Sequence, residues 1–310
     1  MARQMVSIII VNWNTENLLR QCLTSLPWES ASLDLEVIVV DNGSTDGSVP
    51  MVRWDFPQVR LLVNGTNVGF VQANNQGLAA ANGAFLFMLN SDTEVSGGAI
   101  ERLVEVAAGD PSIGAVGPRL LNTDGTPQVS AAPFPKVIYR FLPSRFEPAY
   151  DRHLERRVSQ DTGHAAEVGW LSGAALLFRR DVLERVGPLD ERYYMWYDDL
   201  DWSQKLRKAG YKRVFVGDAV ITHHGRQSGR KLDNRDLAEQ LFTSEYTYLR
   251  LHHGRATTSL VYGLRIAKAL VVRHLSPSRS KREEAAWRLA YHRRNRRRFL
   301  QSDNQAWRPE

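Results

Sequence analysis

Four short and almost wholly apolar runs constrain this chain more than any other feature. They are "VSIIIVN" (6–12), "LEVIVVD" (35–41), "VRLLVN" (59–64) and "AFLFMLNSD" (84–92). Each is rich in branched aliphatics and too short for a buried helix, so each is expected to be a strand covered on both faces. Between them, "ENLLRQCLTSL", "STDGSVPMV" and "GFVQANNQGLAAA" carry apolar residues at helical spacing, with Ser44 or Thr45 expected to cap the second. "GGAIERLVEVAAG" and "IGAVGPRLL" add a further helix and strand. This alternation predicts an α/β fold with a Rossmann-like, mostly parallel sheet flanked by helices. Ligands of such sheets bind at the carboxyl ends of the strands. Asn12, Asp41, Asn64 and Asp92 all fall at such ends.

The rest of the chain is less regular. Residues 122–165 hold a proline-rich surface excursion, and "VGWLSGAALLFRRDVLERVG" (168–187) resumes as strand then helix. "YKRVFVGDAVITHHGRQS" reads as two short strands and a polar loop. Three amphipathic stretches, at about 233–252, 256–274 and 281–300, close the chain. The expected division is therefore a body of residues 1–230 and a C-terminal helical extension of residues 231–310.

Charge separates these parts. The net charge is +6, yet residues 251–310 carry 14 Lys and Arg against 4 Asp and Glu, a balance of +10. The first 250 residues are left at −4, so the basic charge is regional and speaks of partners. With Leu260, Leu264, Ala267 and Val271 on an apolar face, the extension suits an anionic membrane surface. Packing on the body or on a second protomer, as in a homodimer, is the alternative. The arginine-rich "RRNRRR" sits in no recognised nucleic-acid motif, and nucleic acid is not expected as a partner. The apolar stretch 260–272 is too short for a membrane span and contains Arg265 and Lys268. With no signal-peptide pattern at the N-terminus, the expected location is cytoplasmic, peripheral on the membrane if the tail binds it. The single cysteine, Cys22, excludes an internal disulfide and is expected in a helix core.

The chemistry gathers in three places. Asp41, at the end of its strand, can accept from a base imide or a ribose hydroxyl, or else cap a turn. "MLNSDTEV" puts Asn90, Ser91 and Asp92 just beyond a buried strand, as a site for a cation bound to a diphosphate would need. His223 could complete such a site or be structural, and Arg226, Ser228 and Arg230 follow it. "YYMWYDDLDW" (193–202) sets Asp198, Asp199 and Asp201 beside Tyr194, Trp196 and Tyr197. Like charges and partial burial raise a carboxylate's basicity, and a helix's first turn keeps the cluster folded. Rings alongside can stack on a sugar. That combination suits a general base acting on a sugar hydroxyl.

Taken in order, "SIIIVNWN", "VIVVDNGSTDGS", "NVGFVQANNQGL", "FLFMLNSDTEV", "GAALLFRRDVLERVGPLDERYYMWYDDLDW" and "VITHHGRQS" resemble the family-2 glycosyltransferases of GT-A fold, in particular bacterial rhamnosyltransferase-like members. The resemblance covers about residues 5–230. It implies a metal-dependent, inverting transfer from a nucleotide-diphosphate sugar to a hydroxyl of a glycan or polyprenyl-linked acceptor in cell-surface polysaccharide synthesis. It favours dTDP-rhamnose as donor, though users of UDP-galactose or UDP-N-acetylglucosamine share the motifs. Asp199 then matches the catalytic base, with Asp198 its acidic neighbour. Asn12, Asp41, Asn67, Asn75, Asn90, Ser91, Asp92, Arg226 and Ser228 would bind the donor. Trp170, Tyr194, Trp196 and Tyr197 would meet the acceptor, and Asp92 and His223 would hold Mg²⁺ or Mn²⁺. Asn90 stands where the family often has Asp, and Lys205 where it often has Arg, a point charge in place of a planar fork. An inactive nucleotide-sugar-binding scaffold is the rival reading.

Overall fold

The computed structural model describes residues 3–135, 165–225 and 234–300. The first half alternates as its sequence predicts: β1 (Gln4–Asn12), α1 (Glu16–Ser25), β2 (Leu33–Asp41), α2 (Ser48–Asp55), β3 (Arg60–Val63), α3 (Phe70–Ala80) and β4 (Phe85–Asn90). A short β5 (Thr93–Val95), α4 (Ala99–Gly109), β6 (Ile113–Leu121), β7 (Ala131–Ala132), β8 (Ala165–Glu167) and β9 (Trp170–Leu171) follow. Then come β10 (Ala175–Arg179), α5 (Arg180–Val186), α6 (Asp198–Lys208) and β11 (Lys212–His223). Helices α7 (Asn234–Leu275), α8 (Arg279–Arg294) and α9 (Arg296–Leu300) complete the described chain.

The main sheet runs β3-β2-β1-β4-β10-β6-β11-β5, with β8 paired to β11. Strands β3, β2, β1 and β4 are parallel neighbours, and Asn12 lies opposite Asp41 in the register. Their carboxyl ends therefore share one edge. Chain order reverses direction on either side of β1, the kind of switch point at which open α/β sheets bind ligands. β10 enters antiparallel between β4 and β6. Both faces are covered. Val6, Ile8 and Ile10 of β1 join residues of α1, α2 and α4 in one buried cluster. On the other face α3 lies so close that a Cβ on Gly77 would come within 2.3 Å of the Ile9 side chain. Trp202 of α6 packs on Phe178 of β10 at 4.6 Å between ring centres.

Three local expectations change. The two short strands expected after Tyr211 form one strand, β11, whose pairing with β6 shifts between Val216 and Val220. An irregularity of this kind lets a strand absorb extra residues without ending. The "TEV" after Asp92 is a strand because it pairs antiparallel with the end of β11. Neither Ser44 nor Thr45 caps α2, which starts at Ser48 behind Gly47. Ser44 Oγ instead accepts from Asn12 Nδ2 and the Asn14 N–H, while Asp46 accepts from the Ser48 N–H.

The described residues fall into two compact units, one of 3–134, 165–190 and 198–225, the other of 135, 191–197 and 234–300. The second unit thus takes in the aromatic segment 191–197 as well as the C-terminal helices. Its core is Tyr246, Leu249, Val261, Tyr291 and Phe299. Within it Glu245 and Arg265 form a buried ion pair at 2.5 Å. Gly254, at φ 80° and ψ 170°, divides α7 into the two helical stretches its sequence predicts.

Candidate active site

The strand ends build a buried polar lattice. Asp41 is 1 % exposed; its Oδ2 accepts from Asn12 Nδ2 at 3.0 Å and its Oδ1 from the Ser44 N–H at 2.9 Å. Asn12 is fully buried, and its Oδ1 accepts from Thr15 Oγ1 at 2.6 Å. Asn12 therefore holds Asp41 and Ser44 in position with its whole amide. Thr15 links onward to Ser91 Oγ at 3.0 Å, tying the end of β1 to the "NSD" turn. Asn42 fixes the loop above α3 by donating to Asn67 Oδ1 at 2.8 Å and the Gly69 carbonyl at 3.2 Å. Asn75 exchanges both amide bonds with the backbone of Leu189, at 2.9 and 3.1 Å, and so anchors the segment after α5 to α3.

Asp92 and His223 meet. Their closest atoms, Oδ1 and Nε2, are 3.2 Å apart, and both side chains are largely buried. The strands explain this: β5 pairs with the end of β11, His223 opposite Thr93, and the His224 N–H donates to the Asp92 carbonyl at 2.8 Å. His223 Nδ1 sits 2.8 Å from Gln128 Oε1, and Asn90 Nδ2 lies 3.4 Å from Nε2. Asn90 Oδ1 is buried with no hydrogen-bond partner among the described residues. A carboxylate, an imidazole and an orphaned amide oxygen at one spot fit a divalent cation that completes its shell with phosphate oxygens and water. Among the described residues no group of three or more His, Cys, Asp or Glu could hold a metal by itself.

Asp199 opens α6. Its Oδ1 accepts from the Leu200 N–H at 2.8 Å, one of the helix's unsatisfied first-turn donors, and its Oδ2 from the Gly173 N–H at 3.1 Å. Burial pushes its carboxyl above the usual range, against the lowering effect of those two donors. The acidic trio divides its work. Asp201 turns to Lys205 Nζ at 3.4 Å, and Asp198 is buried at the helix start. Gly173 precedes Ala174, whose carbonyl accepts from the Asn90 N–H at 2.9 Å. One backbone step thus connects Asp199 to the end of β4, on strands ~4.8 Å apart.

The remaining residues are distributed as follows. Trp170 lies on β9, opposite Ala132 of β7. In the second unit Trp196 and Tyr197 both adopt left-handed backbone, at φ 71° and 64°, a costly conformation for ring-bearing residues. Tyr197 rests on Tyr248 at 5.6 Å between ring centres, and Ser244 Oγ donates to the Met195 carbonyl at 2.7 Å. Arg226, Ser228 and Arg230 lie outside the described residues. Cys22 is buried as expected, its thiol pushed up to about 12 by that burial. Sequence reasoning missed Thr15, Asn42, Gly173 and Gln128. For Gly173 and Gln128 the sequence carries no signal, because each matters only through a partner 26 or 95 residues away.

Comparison with known proteins follows the same outline. The profile described as "Glycosyl transferase family 2" matches residues 7–187. An N-acetylglucosaminyl-diphospho-decaprenol L-rhamnosyltransferase of Mycobacterium tuberculosis is 34% identical over 236 residues, 71% of this chain and 76% of that protein. The O-antigen biosynthesis protein RfbC of Myxococcus xanthus is 29% identical over 73% of this chain and 18% of its own length. Among solved structures, GalNAc-T7 with UDP, GalNAc and Mn²⁺ superposes at TM-score 0.62, with 16% identity over 98% of this chain and 59% of that one. The mannosyltransferase PcManGT from Pyrobaculum calidifontis, in complex with GDP-Man and Mn²⁺, superposes at 0.52, with 19% identity, 95% of this chain and 88% of that one.

Proposed function

This chain belongs to glycosyl transferase family 2, and from that premise we propose that it transfers rhamnose from dTDP-rhamnose, with inversion, to a hydroxyl of a polyprenyl-diphosphate-linked glycan. The observation that carries the reading is the pairing of functions along one sheet edge. A carboxylate of raised basicity, Asp199, is anchored through Gly173 to the end of β10, and the Asp92–His223 pair stands beyond the end of neighbouring β4. The relative from Mycobacterium tuberculosis, whose name specifies both rhamnose and a lipid-linked acceptor, supports the substrate class.

In this mechanism Asp199 accepts the proton of the acceptor hydroxyl as it attacks the anomeric carbon from the face opposite the nucleotide. Its two backbone donors hold the carboxylate in one orientation, while burial keeps it basic enough to take the proton. Asp198 adds negative charge beside it. Asp41, braced by Asn12 and Ser44, receives the base or ribose, and the segment from Asn67, which Asn42 holds, to Asn75 borders the donor. Asp92 and His223, with Asn90, would hold Mg²⁺ or Mn²⁺, which when bound neutralises charge growing on the departing diphosphate. We assign the diphosphate also to Ser91, Arg226 and Ser228, and the acceptor to Trp170, Tyr194, Trp196 and Tyr197. The lipid-linked acceptor gives a role to the exposed face of α7, where Leu260, Leu264, Val271 and Leu275 are 42–77 % exposed. That face, beside the exposed basic residues Lys268 and Arg273, suits an anionic leaflet.

A panel of nucleotide sugars, assayed with an N-acetylglucosaminyl-diphospho-polyprenol and Mn²⁺, tests the proposal. Rhamnosyl transfer with inverted anomeric configuration is the expected result. Transfer only from UDP-galactose or UDP-N-acetylglucosamine would reassign the donor, and nucleotide binding without any transfer would leave a scaffold.

A further inference from the structure

We infer that Gln128 fixes His223 as the Nδ1–H tautomer and thereby turns the Nε2 lone pair toward Asp92. The inference rests on the proposed role of Asp92 and His223 as cation ligands, but its geometry stands apart from that role. It begins at the tip of the turn "NTDGTPQ" (122–128), where each hydrogen bond dictates the direction of the next.

A carboxylate only accepts. Asp124 Oδ1 lies 2.5 Å from Thr126 Oγ1, so the hydroxyl proton points to Asp124. Thr126 Oγ1 is then the acceptor for Asn122 Nδ2 at 2.8 Å. That orients the Asn122 amide, whose Oδ1 accepts from Gln128 Nε2 at 2.7 Å. The second Nε2 proton of Gln128 goes to the His223 carbonyl at 2.6 Å. Both amide protons are therefore committed, and Oε1, which can only accept, faces His223 Nδ1 at 2.8 Å. Reversing the Gln128 amide would set its oxygen against two other oxygens at these distances. Nδ1 must carry the proton.

The opposite edge of the ring follows. With the ring neutral, Nε2 presents a lone pair to Asp92 Oδ1 at 3.2 Å, two acceptors facing each other. Such an arrangement is stable with a positive charge shared between them, which is what a cation site requires. Backbone bonds tie the turn together. The Asn122 N–H donates to the Thr126 carbonyl at 2.7 Å and the Gln128 N–H to the Leu120 carbonyl at 2.8 Å, while Gly125 takes φ +79° at the bend. Gln128 is a positioning residue: it reaches the site through His223.

Nitrogen-15 NMR of the labelled imidazole in metal-free full-length protein, at a pH where the ring is neutral, reads the tautomer directly. The wild type is expected as Nδ1–H, with Gln128→Leu giving a mixture of tautomers. Electron paramagnetic resonance of free Mn²⁺ should show affinity falling about 10–100-fold in Gln128→Leu, the usual effect of losing an outer partner of a metal-bound histidine. Binding of dTDP in EDTA should stay unchanged. An Nε2–H tautomer in the wild type, a measurement that needs no variant, would overturn the inference. So would an unaltered tautomer in a folded Gln128→Leu protein. A wild type that shows the Nδ1–H tautomer, loses it in the variant and yet binds no Mn²⁺ supports the inference and removes the cation reading instead.

Discussion

Asp199 Oδ2 accepts a hydrogen bond from the backbone N–H of Gly173 at 3.1 Å, across 26 residues of chain. The bond joins the first turn of α6 to the approach of β10, the antiparallel strand beside β4. It gives a half-buried carboxylate a fixed direction while leaving it unusually basic.

Replacing that carboxylate separates binding from chemistry. Asp199→Asn keeps an oxygen for a backbone donor and removes the proton acceptor. The variant should lose about 10²–10⁴-fold in kcat, the range typical of a general base, with donor-nucleotide affinity by calorimetry unchanged. Because the folded-state pKa is raised, ionised Asp199 weakens folding, and that weakening grows as pH rises from the unfolded value through the folded one. Thermal melts of Asp199→Asn at neutral pH should therefore match or exceed the wild type. Near-wild-type turnover would assign the base elsewhere.

The pair of Asp92 and His223 makes metal dependence specific. Asp92→Ala and His223→Ala should each weaken Mn²⁺ by at least the roughly 10–100-fold seen when even an outer-sphere partner is lost. EDTA should abolish transfer by the wild type, and added Mn²⁺ should restore it. If either alanine variant titrates with Mn²⁺ like the wild type, the cation lies elsewhere.

The exposed face of α7 predicts binding to vesicles. Wild-type protein should sediment with vesicles containing anionic phospholipid and release as salt rises beyond the ~10 Å screening regime of 0.1 M. Leu264→Ser with Leu275→Ser, both on the exposed stripe, should cut vesicle affinity roughly 100-fold at constant charge. Loss of a dimer on sedimentation, with vesicle binding unchanged, would mean that the face meets a second protomer.

His292 predicts acid lability. Its ring is buried, Nδ1 donates to the Arg288 carbonyl at 2.8 Å, and burial lowers its pKa from 6.5 to about 4. Below pH 6.5 the unfolded chain takes a proton that the folded one refuses until about 4. Stability present above 6.5 is therefore lost as pH falls through that window, by about 3 kcal/mol. Hydrogen exchange in α7 and α8 should accelerate across the window, and His292→Phe should flatten the dependence. An identical pH profile in the variant would refute it.

The sequence by itself determined a good deal. β1, β2 and β4 were legible because a strand buried on both faces must be apolar at nearly every position, and the polar residue that ends such a run marks the sheet edge. β3, an edge strand with Arg60 and Val63 exposed, was legible as a strand from its short branched run, although it is not covered on both faces as expected. Asp41, Asp92, Asp199 and His223 were legible because their residue types stand at those ends or at a helix start, and because the ordered motifs resemble a family. The break in the C-terminal helices at Gly254 could be read from periodicity alone.

Tertiary structure decided the rest. Only strand pairing set β10 antiparallel beside β4, joined the two halves of β11 and made a strand of Thr93–Val95. That Asn12 also braces Asp41 and Ser44 could not be read locally, because its amide bonds reach residues 29 and 32 positions away. The same holds for Gln128 and His223. Propensity and hydrophobic pattern are local properties and record which face of an element is buried. The direction of a hydrogen bond depends on the partner opposite, and that partner is chosen by register between segments far apart in the chain.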